Sequence, residues 1–556
     1  MAGISGLFEI GRLALLANQK ALGITGQNIS NANTKGYSRQ VPVFESTRPI
    51  DSQPGQVGTG VRITEIRRMV DSLLEAQINS ETGMLGNLEA RASALDRIES
   101  IFSDTNDTGI SQAINGFFNA VQGLIDNPQG YTERVDVISQ GETLAQMVSK
   151  AASDLSQVRE DMDSGIASAI NDINGLASQI AVLNEKISHA EINSQNANDY
   201  RDERTRLLND LSGKIDISYF EDDLGQVTVM VGGGNPLVEG RTARSLSGTA
   251  NSDNEGLTDI YFNPGSGQTV NITGNIKNGS IAGMLNIRDE VVPELSGKLD
   301  LLAASITNEV NVLHSAGYGL DSTTGNAFFS PLTATTGQMS ANIGGASIDS
   351  GTILDFSVLS LDDYEIRFTS PSNYDIVNAT DSTTVSTGNM YTSGGNIDFD
   401  GIRVVITDNT GTPATGDTFT VSVTDGQAGR MSVSLSDPNK VAAAQDPASL
   451  PGDNRNALAL AQLQDDLILN NSTTTFSSFY SSIVEEAGTI SSQNSRALSA
   501  QRFVTDQLDA RREEVSGVSL DEETVNLIKF QRGFEAAARL ITTADELFQT
   551  ILDLKR

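Results

Sequence analysis

Residues able to do chemistry are sparse in this sequence. It contains no cysteine, so thiolate catalysis and disulfides are excluded. Its two histidines, His189 and His314, stand far apart. His189 sits beside Ala190, a core position of a heptad pattern, and reads as a surface or seam-edge residue. His314 falls near a helix end before Gly317–Gly319 and reads as a packing or capping group. The run DTNDTG at Asp104–Gly109 opens like a calcium loop. The twelfth position counted from Asp104 is Asn115, where such a loop needs a bidentate glutamate. GGGNP at Gly232–Pro236 lacks the Lys-Ser/Thr of a phosphate loop and reads as a turn. The neighbouring carboxylates Asp362 and Asp363 carry little signal in a chain with 71 acidic residues. The residues therefore give no catalytic, cofactor-binding or metal-ligating set, and the expectation is a protein that is not an enzyme.

The formal net charge is −34. An acidic excess of that size opposes binding to nucleic acid or to an anionic membrane. It also makes free copies repel one another, so self-assembly has to be driven by apolar contact. No apolar run is long enough to cross a membrane. The start, MAGISGLFEIGRLALLANQK, lacks a basic leader and a clear cleavage site and does not read as a secretory signal peptide, so if the protein leaves the cell another route must carry it.

With chemistry set aside, the apolar periodicities carry the reading. Leu7, Ile10, Ala14, Ala17, Ala21 and Ile24 repeat at helical spacing, and Phe8, Leu15, Leu22 and Ile29 form a second stripe beside them. Together they make a face wider than one helix–helix seam. The helix runs out in NISNANTKGYSRQ, Asn28–Gln40. Asn31 and Asn33 tolerate left-handed backbone, Gly36 suits the following turn, and an extended stretch is expected around Pro42. The C-terminus mirrors this pattern. Leu520, Leu527, Phe534, Ile541 and Phe548 recur every seven residues, with Phe530, Ala537, Ala544 and Ile551 at the offset and Leu540, Leu547 and Leu554 alongside. Pairing the two chain ends is the simplest way to bury both faces, and the surplus apolar area marks an interface.

Between the ends, helices are expected over 70–102, 111–126, about 132–196 and 454–515, with Asp453 or Asn454 placed to cap the last. Ile166, Ile173, Ile180 and Ile187 share one heptad position in the longest. From Ile217 the pattern alternates: ISYF, a turn at Asp222–Gly225, then QVTVMV, a hairpin signal. A helical stretch is expected near 289–315, and strands YEIRF, IRVVIT and DTFTVSV follow. The fold class is multidomain α + β: a long coiled-coil-like helical bundle built from both chain ends, with inserted β-rich outer domains. The expected domains are 1–60 with 516–556, 61–215 with 435–515, 216–340 (β-rich with a helical segment), and 341–434 (outer β).

NISNANTKGYSRQ resembles the N-terminal signature of bacterial flagellar axial proteins, and VNLIKFQRGFEAAARLITTADELFQTILDL resembles the other end of that rod and hook family. The ending Tyr37-Ser38-Arg39-Gln40 is closest to the hook–filament junction branch. DYRDERTRLLNDLSGKIDISYF, GGGNPLVEG, GDTFTV and GDNRNALALAQLQ resemble segments of the same branch, in that order. The resemblance runs from end to end and is weakest over 320–430. It implies a structural, extracellular role at the hook–filament junction, reached by type III export. It implies four partners: other copies of the chain in a ring-like homo-oligomer, the hook protein, the next junction protein, and an export chaperone on the C-terminal helix. No nucleic acid, membrane insertion or cofactor is implied. Asn28, Asn31, Asn33, Gly36, Tyr37 and Arg39 form the signature turn. The expected assembly interface is Leu7, Ile10, Ala14, Ala17, Ala21, Ile24, Leu520, Leu527, Phe530, Phe534, Ala537, Ile541, Ala544, Phe548 and Ile551. Both termini are expected to be largely disordered in the free monomer and to order on assembly. The competing readings are a hook-type axial protein, or a secreted adhesin or surface protein that uses the β insertion.

Overall fold

A computed structural model of the chain describes residues 2–52, 55–103, 109–192 and 196–554. The DTNDTG run lies outside them except for Gly109. The molecule is multidomain α + β, with helices at both ends and β-sheet in the middle.

The N-terminal helix, Ala2–Ser30, packs antiparallel on the C-terminal helix, Leu520–Leu554. The direction follows from paired positions: Asn28 meets Glu523 at one end, and Gly11 faces Ile541 near the other. Small residues bring the backbones close. A Cβ on Gly11 would stand 2.8 Å from Ile541 Cγ1, and one on Gly533 would stand 2.5 Å from Asn18 Oδ1.

A connector leads outward from this pair. Strand Gln40–Ser46 pairs antiparallel with Val61–Arg68, Gln40 opposite Arg68, with a bulge between Val43 and Phe44. A small hairpin, Ile50–Ser52 with Gly55–Val57, projects between them. Phe44 reaches back to Phe530, ring centroids 5.9 Å apart. The sequence marked only the first of these strands. Val61–Arg68 is rich in charge and lies mostly half-exposed, so it lacks a clean alternation.

The shaft is built from Ser72–Phe102, Ile110–Asp126, Tyr131–Glu191, Asn198–Ser212 and the returning Phe476–Ser516. Asp71 caps the first by accepting from the amides of Leu73 and Leu74. At 61 residues the third spans about 90 Å. It ends at Glu191 rather than near 196, and a separate helix starts at Asn198. The stretch 454–515 is also interrupted, into Arg455–Gln462, a turn at Leu469–Ser472, and Phe476–Ser516. Asn470 and Ser472 take positive φ there, in a run of short polar residues that compete with helix. Asn454 occupies the cap position but its side chain donates to the Ile125 carbonyl instead of capping the helix, while the Asp453 carboxylate accepts from the amides of Gln445, Asp446 and Arg455.

The long helix serves two cores. Its N-terminal half, through Leu144, Val148, Leu155 and Val158, joins Phe117, Phe118, Leu299, Phe328, Phe476 and Ile483. Its C-terminal half buries Ile166, Ile173 and Ile180 against strands from Val227 to Phe262 and the helix Gly279–Asn286. Within 216–340 the division falls at a π-helical turn, Ile287–Val291, where the fully buried Arg288 bonds Asp163 at 2.6 Å and the Thr258 carbonyl at 2.7 Å. Beyond it Val292–Ala316 belongs to the helical core, not to the strands. The Asp222–Gly225 hairpin is present, with Ile217–Glu221 antiparallel to Val227–Val231, and Gly232–Gly234 form the next turn at positive φ.

Two antiparallel sheets make the outer β region. The larger has the order Thr335–Gln338, Thr418–Ser422, Tyr364–Ser370, Asn373–Asn378, Thr384–Met390, and the smaller Ala346–Ile353, Ile402–Asp408, Asn396–Phe399. Tyr364, Ile366, Phe368, Ile402, Val404, Ile406 and Phe419 alternate into the layer between them. Both crossings of its root are held by His314, which is buried. Nε2 accepts from the Ala442 amide at 3.0 Å, which leaves the proton on Nδ1 to donate to the Asn326 carbonyl at 2.7 Å. Asp300 holds the exit by accepting from Gly426 and Ala428, at 3.1 and 2.8 Å.

Candidate assembly interface

The signature turn sits where three distant segments meet. Asn28, 1% exposed, ends the N-terminal helix and uses its whole amide. Its Nδ2 donates to the Gln40 carbonyl at 2.9 Å and to Glu523 Oε2 at 3.0 Å. Its Oδ1 accepts from the Tyr37 hydroxyl at 2.8 Å and from the Gln40 amide at 3.0 Å. Chain reversal between Asn28 and Gln40 depends on Gly36, whose φ of +84° is the left-handed region that favours glycine. Asn31 accepts from the Thr34 hydroxyl and donates to the Gln27 carbonyl, which closes the helix end, while Asn33 is exposed.

Glu523, 2% exposed, is the acidic centre of the clasp. Arg39 Nε donates to its Oε1 at 2.9 Å, and Arg39 Nη1 reaches Glu522 at 2.7 Å. On the other side the turn is tied to the shaft. The Ser38 amide donates to Asp202 Oδ2 at 3.0 Å, Arg68 pairs with Asp202 Oδ1 at 2.7 Å, and Gln40 donates to Asp199 at 2.9 Å. The Arg39 amide donates to the Ser516 carbonyl at 2.8 Å. Burial, with the carboxylates of Asp199, Asp202 and Glu523 nearby, pushes the Tyr37 phenol well above its usual range, so it stays a neutral donor. Sequence reading named the turn but not Glu523, Asp199 or Asp202. An acidic residue in the first turn of a helix reads as a solvated capping charge, and the one available signal was the dense charge of DYRDERTR.

The fifteen seam residues divide by exposure. Ala17, Ala21, Ile24, Phe530, Ala537 and Ala544 are buried between the chain's own two helices, so they close the pair rather than face another copy. Leu7, Ile10, Ala14, Leu527, Phe534 and Ile541 are half-buried. Leu520, Phe548 and Ile551 are exposed, Phe548 at 46%. Around them stand further exposed apolar residues: Phe8, Leu16, Val525, Ile528, Leu547, Leu552 and Leu554. Leu16, Val525, Ile528 and Leu552 escaped the sequence reading because they lie off the heptad stripes.

His189 is exposed. No group of three or more His, Cys, Asp or Glu placed to hold a metal occurs among the described residues. No described helix is long and apolar enough to cross a membrane.

Three family models match successive parts of the chain. "Flagellar hook-associated protein FlgK helical domain" covers residues 95–329, "Flagellar hook-associated protein 1, D2-like domain" covers 338–423, and "Flagellar basal body rod FlgEFG protein C-terminal" covers 511–554. The flagellar hook-associated protein 1 of Escherichia coli K12 is 27% identical over 99% of this chain and 100% of its own length. That of Bacillus subtilis 168 is 26% identical over 98% of this chain and 97% of its own. The chain belongs to the flagellar hook-associated protein 1 family. The helical-domain model spans both cores of the long helix, including the strands of the second. The rod-type C-terminal model coincides with the helix that carries Glu523 and the exposed apolar face. The flagellar hook junction protein FlgK of Burkholderia pseudomallei shares the fold, with a TM-score of 0.68 at 20% identity over 79% of this chain and 100% of that one.

Proposed function

We propose that this chain is a structural, non-enzymatic subunit of the flagellar hook–filament junction, and that copies of it associate through the terminal helical pair. The observation that carries this is the set of apolar side chains left exposed around that pair, Leu16, Val525 and Ile528 toward the clasp and Phe548 and Ile551 toward the far end. In a chain of net charge −34, exposed apolar surface of this kind is the means by which copies overcome mutual repulsion. Burying one Leu or Phe contributes about 1.5–3 kcal/mol. Five of them give on the order of 10 kcal/mol gross before the entropy of association is subtracted.

The N-terminal helix reaches its neighbours at the axis, the clasp turns the chain outward, and the β region faces away. The hook protein and the next junction protein are the partners above and below. An export chaperone covers the C-terminal helix before assembly, and the chain leaves the cell by the flagellar export route. Ile528→Asp and Ile551→Asp chains, altered at exposed positions, are expected to be exported yet absent from flagella. Wild-type motility in either variant would refute the interface, and failed export would move the face to chaperone binding.

A further inference from the structure

Where the N-terminal helix meets the connector hairpin, an apolar groove of about 380 Å³ stands open. Gly3, Gly6, Leu7 and Ile10 form one wall, and Ile50 and Val57 form the other, 63% and 51% exposed. Neither Gly3 nor Gly6 has an atom near its absent Cβ, so the floor is empty space rather than close packing. The second wall is held in place at Gly60, whose Cβ position touches Leu13 and Ile10 at 3.4–3.5 Å.

We infer that this groove receives the end of the C-terminal helix of a second copy of the chain, with Leu547, Phe548, Ile551 and Leu552 as the inserted ridge. This rests on the self-assembly reading and specifies which two surfaces meet. The ridge is apolar, protruding and exposed, so the chain's own groove does not cover it. Ridge and groove lie at the same end of the antiparallel pair. Extending the Gly11–Ile541 register places Gly3–Leu7 beside Asp545–Gln549. Copies related by rotation about an axis along the helices therefore bring ridge and groove together at one level. Exposed Asp545, Glu546 and Asp553 flank the ridge; on the groove side Glu9 is paired with Arg12, and exposed Arg48, whose carbonyl bonds Thr59 of the lining, has no ion-pair partner among the described residues. The contact is heterologous: each copy keeps a free groove on one side and a free ridge on the other, which generates a ring or helix.

The absence of cysteine supplies the test. A chain carrying Gly58→Cys and Asp553→Cys removes no apolar contact, and a Cβ at Gly58 meets nothing. In purified flagella under mild oxidation it is expected to run as a ladder of disulfide-linked multimers of itself, with each single variant remaining a monomer. Flagella that contain the double variant at wild-type level, yet yield only monomer or a crosslink to a different protein, would overturn the contact while leaving the structural role intact. If the cysteines lower incorporation, a charge series at the same place decides. Gly58→Asp, set against Asp545, Glu546 and Asp553, is expected to reduce incorporation at least tenfold, and Gly58→Lys to leave it within twofold. Equal incorporation of the two would overturn the proposal.

Discussion

Asn28 and Glu523, 495 residues apart, share a 3.0 Å hydrogen bond at the point where the chain leaves the N-terminal helix. Both are essentially excluded from water, and Arg39 neutralises the carboxylate from the other side. The bond joins the two chain ends, and through Ser38 and Gln40 it joins both to Asp202 and Asp199 on the shaft.

Asn28→Asp keeps the shape of this residue but sets a second carboxylate against Glu523 and removes the donor to the Gln40 carbonyl. An unpaired buried charge costs about 3–5 kcal/mol. Hydrogen exchange should show the amides of 28–40 and 520–530 losing protection, with the two shaft cores unchanged. Glu523→Gln, which leaves Arg39 without its buried partner, should show the same pattern. Protection equal to wild type in both would mean that the clasp does not hold the ends together.

The seam and the open face should respond differently. Ala537→Leu pushes extra atoms into the closed seam and should destabilise the helical pair by about 1–3 kcal/mol. Phe548→Asp alters a side chain that is 46% exposed in its own chain, so exchange in the single chain should change less than for Ala537→Leu while incorporation into flagella is lost. Equal effects on exchange would mean that the division between seam and open face is wrong.

Much of this division between shaft and ends was legible in the sequence. The heptad Ile166, Ile173, Ile180 and Ile187 is fully buried, and the alternation in YEIRF and IRVVIT marks true strands. Periodicity reports which face is apolar, and in these elements the apolar face is the buried one. At the termini that link weakens, because the apolar face exceeds what one partner can cover, and spacing alone does not separate Ala544 from Phe548. The break after Glu191 and the placement of Val292–Ala316 in the helical core were hidden for another reason. Both depend largely on contacts between segments more than a hundred residues apart, such as Asn198 with Gln40 and Ile66, and Asp300 with Gly426 and Ala428. The Glu523 clasp was hidden in the same way.

The root of the outer β region should be acid-sensitive. Burial lowers the His314 pKa from 6.5 to about 4, so the unfolded chain binds the extra proton first as pH falls. Its contribution is complete above about pH 6.5 and is lost progressively toward pH 4, about 3 kcal/mol in total. Burial raises Asp300 from 3.8 to about 6, and that group runs the other way: as pH falls from about 6 toward 3.8, its protonation favours the folded state. Urea unfolding of wild type and His314→Gln between pH 4 and 7 separates the two. The stability difference between the chains should narrow as pH falls, and a difference independent of pH would exclude His314 as the titrating group.

The terminal pair is held by a thin seam of small residues, so in dilute monomer its helices should be the least protected part of the molecule. Circular dichroism should show helix content rising when monomer assembles. Terminal helices as protected in monomer as the long helix Tyr131–Glu191 would contradict this.

The central claim is that the open apolar face of the terminal helices is covered by other copies of the chain, and a cryo-electron microscopy reconstruction of the intact hook–filament junction tests it most directly. The account predicts Val525, Ile528, Phe548 and Ile551 of each copy buried against a neighbouring copy around the axis. A reconstruction that leaves these side chains in solvent, with the terminal pairs apart from one another, would contradict it.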